Sequence, residues 1–168
     1  MTISFYDVSV GALTRGLTNL SAFIEKGAAY AEAKKIDPVV LAQDRLFPDM
    51  LPLVRQVQIA CDTAKGAAAR LAGIEVPKHE DNEVNLADLK QRVSKTLDFL
   101  KTIKPDQLAG AESRSVELKF PSRTMTFTGL SYVGGFVLPN FYFHSTMTYA
   151  LLRHNGVELG KSDFLGQI

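Results

Sequence analysis

Three histidines have side chains that could bind a metal ion or transfer a proton, and their spacing limits what they can do together. His144 and His154 are ten residues apart on one predicted helix, so they are separated by roughly 80° around the axis and about 15 Å along it. They cannot share one metal ion. His154 ends this helix, where an imidazolium interacts favourably with the helix dipole. His79 lies in a charged loop and is expected to be solvated.

His144 differs from the other two histidines because its helical neighbours are mostly apolar. Phe141, Met147 and Leu151 lie three or seven residues away, so the imidazole is expected to point into the protein and to need a polar partner there. Two interpretations remain open. His144 is either a core histidine hydrogen-bonded to another helix, or a metal ligand or general base in a pocket between helices.

Two polar residues of an earlier helical segment are candidate partners for His144. Gln58 and Asp62 are four residues apart, between Arg55 and Lys65, at the border of an apolar stripe. They face either a cleft near His144 or solvent, with Asp62 paired to Arg55 or Lys65. An ionised Asp62 beside the ring would raise the pKa of His144, whereas burial alone would lower it.

Several established catalytic patterns are absent from the sequence. It contains no glycine-rich phosphate loop, no Ser-His-Asp order and no HExxH motif. Cys61 is the single cysteine, which excludes an intrachain disulfide, a multi-cysteine zinc site and a CxxC redox pair. This cysteine usage fits a cytoplasmic protein.

Composition indicates one ordinary globular domain spanning residues 1–168. Apolar residues make up 46% and charged residues 22% of the chain, and the formal charge is +1. So small a net charge favours neither nucleic acid nor an anionic membrane as a partner. The most apolar stretch, Gly134 to Phe143, is about half the length of a membrane span.

Apolar residues recur at spacings of three and four in four long segments, which is typical of helices that bury one face. Alternation between Arg114 and Thr128, with Pro121-Ser122 at its centre, predicts a β-hairpin between the third and fourth long helices. The predicted fold is therefore an all-α, up-down four-helix bundle with a small hairpin. The predicted helices are residues 8–34, 50–71, 86–103 and 130–154, with a short helix at 38–44.

The last long helix carries more aromatic and apolar residues than one face of a bundle buries, which predicts a homodimer. The segment that follows, residues 157–168, also contains apolar residues that need cover: Val157, Leu159, Phe164 and Leu165. We expect this segment to pack back on the helices.

Three blocks of sequence resemble an uncharacterised family of bacterial and fungal proteins. They are FYDVSVGALTRGLTNL, RLFPDMLPLVRQVQIACDTAKGAAARLAG and LPNFYFHSTMTYALLRHNGVELGKSDFLG. The family is a domain of unknown function in the DinB/YfiT-like four-helix-bundle superfamily. The resemblance covers essentially the whole chain and implies the same bundle that the periodicity predicts.

The resemblance also implies a metal site, because superfamily members typically bind a metal through three histidines. One comes from the second helix and two from an HxxxH motif on the fourth, and some members use the metal in thiol-dependent transfer or isomerisation. Here His144 matches one HxxxH position, and either Thr148 or Asn140 stands at the other; the second helix offers Gln58 or Asp62. A divalent metal would have one imidazole, and amide and hydroxyl oxygens replace imidazole poorly.

Two functions are consistent with the sequence, and the cofactor is unknown in both. The first is a small-molecule enzyme or binding protein with a pocket near His144. The second is a non-catalytic homodimeric helical module without bound metal. The two missing histidines favour the second function, and the apolar surroundings of His144 favour the first.

Overall fold

The computed structural model describes residues 4–166 and is mostly helical, with one two-stranded antiparallel sheet. This confirms the predicted helical class and the hairpin. In chain order the elements are a π-helical turn (Asp7–Gly11), α1 (Ala12–Lys34), α2 (Pro38–Gln43), α3 (Leu53–Ala72), α4 (Leu86–Thr102), 3-10 turns (Pro105–Leu108, Ala111–Ser113), β1 (Ser115–Phe120), β2 (Arg123–Thr128), α5 (Gly129–Tyr132), a π-helical turn (Val133–Val137), α6 (Leu138–His154) and α7 (Lys161–Leu165). The two π-helical turns and α5 lie within or at the start of the predicted helices 8–34 and 130–154, whose change of helix type was not predicted, and α7 was not predicted at all.

Each of the four long helices packs mainly against two of the others: α3 against α4 and α6, and α1 against α4 and α6. Their apolar faces form one core cluster. Leu20 of α1 is fully buried, whereas Leu97 of α4 is half-buried at the edge of this core. Across residues 4–166, none of the helices combines the length and the apolar character needed to cross a membrane.

The start of α4 is fixed by a capping box. The Asn85 side chain accepts hydrogen bonds from the backbone N–H groups of Ala87 and Asp88, at 2.8 and 3.0 Å. The Asp88 carboxylate in turn accepts from the Asn85 N–H. These bonds satisfy N–H groups that the helix itself leaves free, and they set the position of Arg92 one turn further along α4.

The segment from Gly129 to His154 is helical throughout, although it contains Pro139. A proline lacks the N–H that would bond the carbonyl of residue 135, and its ring collides with that carbonyl in a regular α-helix. The π-helical turn Val133–Val137 lies immediately before it, so the hydrogen-bond pattern changes where the regular one cannot form. The aromatic residues of this segment therefore stay on one continuous element.

Gly16 of α1 packs against α6. A Cβ atom at this position would overlap the ring of Phe141, which is fully buried. The absence of a side chain at Gly16 therefore admits the Phe141 ring between the two helices.

The C-terminal segment packs back on α1 and α6, as predicted, over residues 157–166; residues 167–168 lie outside the described part of the chain. The Phe164 ring stacks on Phe23 with centroids 6.0 Å apart. Asn19 Nδ2 donates to the Phe164 carbonyl at 3.0 Å, and Lys26 pairs with Asp163 at 2.7 Å. Leu165, which was expected to be covered, is 43% exposed.

Cys61 lies near the middle of α3 and is fully buried. Burial raises the pKa of its thiol to about 12, and this effect outweighs the lowering by the hydrogen bond with Thr96 and the charge of Arg92. The thiol is therefore protonated at neutral pH, and it lacks the thiolate character that makes a cysteine a nucleophile or a metal ligand.

Candidate functional site

His144 is buried between α6 and α3, with 8% of its surface exposed. Its Nδ1 lies 2.7 Å from Oε1 of Gln56. The Gln56 amide nitrogen donates to the carbonyl oxygen of Leu51 at 2.9 Å, so Gln56 Oε1 is the acceptor and His144 Nδ1–H is the donor. This arrangement selects the neutral tautomer in which Nε2 carries no proton.

The prediction that Gln58 or Asp62 partners His144 is therefore wrong. Gln56 and Gln58 point about 200° apart around α3, and the former faces α6. Burial lowers the pKa of His144 below its ordinary value. Within residues 4–166 no carboxylate forms an ion pair with the ring. The contacts match the first interpretation of His144, a core histidine hydrogen-bonded to another helix.

The other two candidate site residues of α6, Asn140 and Thr148, form hydrogen bonds that do not include the His144 ring. Asn140 Nδ2 donates to Thr63 Oγ1 at 2.7 Å, and Thr148 Oγ1 donates to the backbone carbonyl of His144 at 3.0 Å. Neither side chain joins the imidazole in a shared site.

These contacts do not fit the three-histidine metal site that the resemblance implies. In the part of the chain from 4 to 166, no three His, Cys, Asp or Glu side chains are grouped closely enough to hold a metal ion. A metal at His144 would have one imidazole, the neutral Gln56 amide and no thiolate or carboxylate, whereas protein zinc sites use imidazole, thiolate and carboxylate ligands. We therefore derive no chemistry through a metal.

Gln58 and Asp62 belong to a different structure, which we call the Arg92 cluster: Arg92, Asp62, Asp81, Glu83 and Gln58. The Arg92 side chain is 1% exposed and contacts all three carboxylates, at 2.9 Å from Asp62, 2.9 Å from Asp81 and 3.0 Å from Glu83. Gln58 Nε2 donates to Glu83 at 2.7 Å. The cluster thus joins α3 and α4 to the loop between them.

A polar cavity of about 560 Å³ lies beside the Arg92 cluster and contains His79. Burial, together with the charges of Lys65, Lys95 and Arg92, lowers the pKa of His79 to about 4. Its Nδ1 is buried without a hydrogen-bond partner among the described residues. His79 is therefore partly buried and not the fully solvated loop histidine that the sequence predicts, because the loop folds against α3 and α4.

A second cavity, of about 310 Å³, opens between α1, α6 and α7, and we call it the α1–α6–α7 cleft. Its volume is at the lower end of the range typical of ligand pockets, roughly 300–1,000 Å³. Its walls are mainly apolar and aromatic. The lining residues are Arg15, Gly16, Asn19, Phe23, Phe141, Tyr142, Ser145, Phe164 and Leu165.

Ser145 is the unusual residue of this cleft. It is 3% exposed, and its hydroxyl has no hydrogen-bond partner within residues 4–166. An unpaired buried hydroxyl is destabilising by about 1–3 kcal/mol, and a bound acceptor or donor would remove that cost. Ser145 follows His144 directly but points about 100° away around α6, so the cleft lies beside the histidine without including it.

Sequence reasoning missed Ser145, Arg15 and Asn19. The signals that could have found them are weak: a serine on an apolar helix, and Arg15 and Asn19 one turn apart beside Gly16. The cleft also depends on α7, whose place against α1 and α6 no local pattern predicts.

Comparison with known proteins agrees with this architecture. The model of the family described as "Domain of unknown function (DUF1993)" matches residues 5–165. A crystal structure of a DinB family member protein from Shewanella denitrificans is 43% identical, with a TM-score of 0.89, over 97% of this chain and 92% of that chain. No curated protein matches. With the family model covering nearly the whole chain, the protein belongs to the DUF1993 family, a domain of unknown function within the DinB-like superfamily.

Proposed function

We propose that this DUF1993 chain is a small-molecule-binding protein whose ligand occupies the α1–α6–α7 cleft without a metal ion. The observation that carries the proposal is the Ser145 hydroxyl, buried and unpartnered at an otherwise apolar wall. We also propose that the four long helices form an up-down bundle, since each packs mainly against two of the others. The pocket that the sequence predicts near His144 is then lined by the next residue of α6, Ser145.

The cleft is a better ligand site than the polar cavity beside the Arg92 cluster. An apolar ligand gains about 25 cal/mol for each Å² of apolar surface that it buries, and the cleft offers aromatic walls for that purpose. In the polar cavity, Arg92 and Glu83 already neutralise each other, so a charged ligand would have to compete with existing ion pairs.

His144 and Gln56 have a structural role in this proposal. Their hydrogen bond joins α6 to α3 at the residue before Ser145, and Gln56 in turn joins α3 to the loop before it through Leu51. This pair holds the wall on which the Ser145 hydroxyl is placed. It does not contact the ligand.

The experiment is binding of a neutral aromatic probe, 2-naphthol, followed by amide NMR shifts and calorimetry. We expect wild-type protein to bind it with shifts centred on Ser145 and Phe164. Ser145→Leu fills the cleft and should weaken binding at least tenfold, which corresponds to about 1.4 kcal/mol. Ser145→Ala leaves the cleft open but removes the hydroxyl, so it should weaken binding by about two- to tenfold, the equivalent of one hydrogen bond.

Ser94→Leu is the matched control, because Ser94 is exposed on α4. It should leave the affinity unchanged. Circular dichroism establishes that each variant is folded before binding is measured. Absence of binding by the wild type, or undiminished binding by a folded Ser145→Leu protein, would contradict the proposal.

A second function, the non-catalytic homodimeric module, is favoured by exposed apolar residues near and on α6. Phe143 is 55% exposed and Leu130 is 62% exposed. A stable dimer interface covers about 800 Å² on each partner, and these side chains would lie within it. Light scattering at micromolar concentration should then give the dimer mass for wild type and the monomer mass for Phe143→Ser; a wild-type monomer would contradict this function.

A further inference from the structure

Arg15 stands out among the residues of the α1–α6–α7 cleft because it is the one charged side chain in the described lining. It is exposed on α1 and forms no ion pair or side-chain hydrogen bond with any residue from 4 to 166. An arginine with no internal partner at the mouth of an apolar cavity has all five N–H donors available for a ligand.

The walls of the cleft supply the second observation. Four aromatic rings line it, from Phe23, Phe141, Tyr142 and Phe164. Phe141 and Tyr142 meet edge to face, with centroids 5.5 Å apart, whereas Phe23 and Phe164 are stacked. Rings in both orientations can accept another ring at its face or its edge, and such pairs are favourable beyond the area that they bury.

We propose that the occupant of the cleft is an aromatic carboxylic acid in its anionic form, an inference that rests on the proposed ligand-binding function. Its ring system lies among the aromatic walls, and its carboxylate accepts hydrogen bonds from the guanidinium of Arg15. The planar guanidinium matches the two oxygens of a carboxylate better than a point charge does. A carboxylate offers about four acceptor sites, so the Ser145 hydroxyl donates to the same group.

The same groups disfavour other ligand classes. Aromatic rings also attract organic cations, but the positive charge of Arg15 opposes a cation at the mouth of this cleft. Asn19, the other polar residue of the α1 wall, already donates its amide to the Phe164 carbonyl. A neutral aromatic compound would contact the aromatic walls but would leave the N–H donors of Arg15 unused.

The test compares 2-naphthoate with 2-naphthamide, two probes that share a ring system and differ in charge. For wild-type protein we expect naphthoate to bind about tenfold more tightly, a factor that corresponds to roughly 1.4 kcal/mol. Arg15→Gln should remove this difference by weakening the binding of naphthoate. Arg123→Gln, at an exposed arginine on β2, should preserve the tenfold ratio.

Ionic strength gives a second readout, because the screening length falls from about 10 Å at 0.1 M salt to about 3 Å at 1 M. The naphthoate preference should shrink in high salt for the wild type and stay absent in Arg15→Gln. Since Arg15 is exposed, its replacement should leave the thermal unfolding of the protein unchanged.

The possible failures are distinguishable. If naphthamide binds and Ser145→Leu abolishes it, but naphthoate binds no more tightly or Arg15→Gln leaves the ratio intact, the carboxylate inference is overturned and the binding function stands. If neither probe binds the wild type, both the inference and the proposed function are overturned.

Discussion

Replacing Gln56 with glutamate tests the neighbourhood of His144 directly. In the wild type the ring donates to a neutral amide 2.7 Å away, and burial holds the pKa of His144 below its ordinary value. Gln56→Glu places a carboxylate at nearly the same position. The ion pair then favours imidazolium, so we expect the pKa of His144 to rise above that of the wild type.

The size of the rise follows from the distance. Unit charges about 4 Å apart interact by roughly 4 kcal/mol at an effective dielectric constant of 20. At 1.36 kcal/mol for each pKa unit this corresponds to about three units. Since the new carboxylate is itself desolvated at this site, we expect a rise of about one to three units.

The assay is an NMR titration of the imidazole protons, with His144→Gln used to assign the resonance. Asp62→Asn is the matched control: Asp62 pairs with Arg92 and Lys65, so its neutralisation should leave the His144 midpoint in place. A midpoint that Gln56→Glu leaves unmoved, or that Asp62→Asn shifts by a full unit, would refute the assigned contact.

The same variant reverses the pH dependence of stability at this site. In the wild type the unfolded chain binds the His144 proton more readily, so the free energy of unfolding decreases as pH falls below about 6.5. A folded pKa raised past 6.5 in Gln56→Glu makes the folded state bind the proton more readily, so the stabilisation is present at low pH and is lost as pH rises through the new folded pKa. Denaturant titrations of the wild type and of Gln56→Glu at pH 5 and pH 8 measure the sign of the pH dependence in each protein.

Leu20→Ala should lower the free energy of unfolding by about 2–5 kcal/mol, and Leu97→Ala by less, because Leu20 is fully buried and Leu97 is half-buried; equal denaturant midpoints would contradict this. Arg92→Met should cost about 3–5 kcal/mol, because it strands the buried Glu83 carboxylate. Adding Glu83→Gln should recover part of that loss. A double variant as unstable as Arg92→Met alone would contradict the assignment of the loss to the stranded Glu83 carboxylate. With burial lowering the pKa of His79 from 6.5 to about 4, wild-type stability should fall as pH drops through this interval, since the unfolded chain binds more protons there. His79→Gln should flatten the fall, and an unchanged pH profile would show that His79 does not cause it.

The helices and the hairpin could be predicted because their signals are local. The three-and-four spacing along α1 and the alternation beside Pro121-Ser122 each report one element. The π-helical turn before Pro139 could not be predicted, because the proline signals a disturbance without specifying whether the helix breaks, kinks or widens.

The site was harder to predict because it depends on how the elements are rotated against one another. Gln56 and Gln58 both border the apolar stripe of α3, and the rotation of α3 against α6 decides which one meets His144. Ser145 lines a ligand cleft because α7, from another part of the chain, forms the opposite wall. Periodicity identifies a buried face, but it does not identify what lies opposite.

Because Cys61 is buried, the alkylation of its thiol can be used to follow unfolding of this chain. As the single cysteine, fully buried on α3, it reacts with an alkylating reagent after the surrounding helices open. When closing is faster than alkylation, the labelling rate therefore measures the free energy of that opening, with no engineered label. The same sequence accepts one added surface cysteine for a fluorophore, because native protein presents no competing reactive thiol.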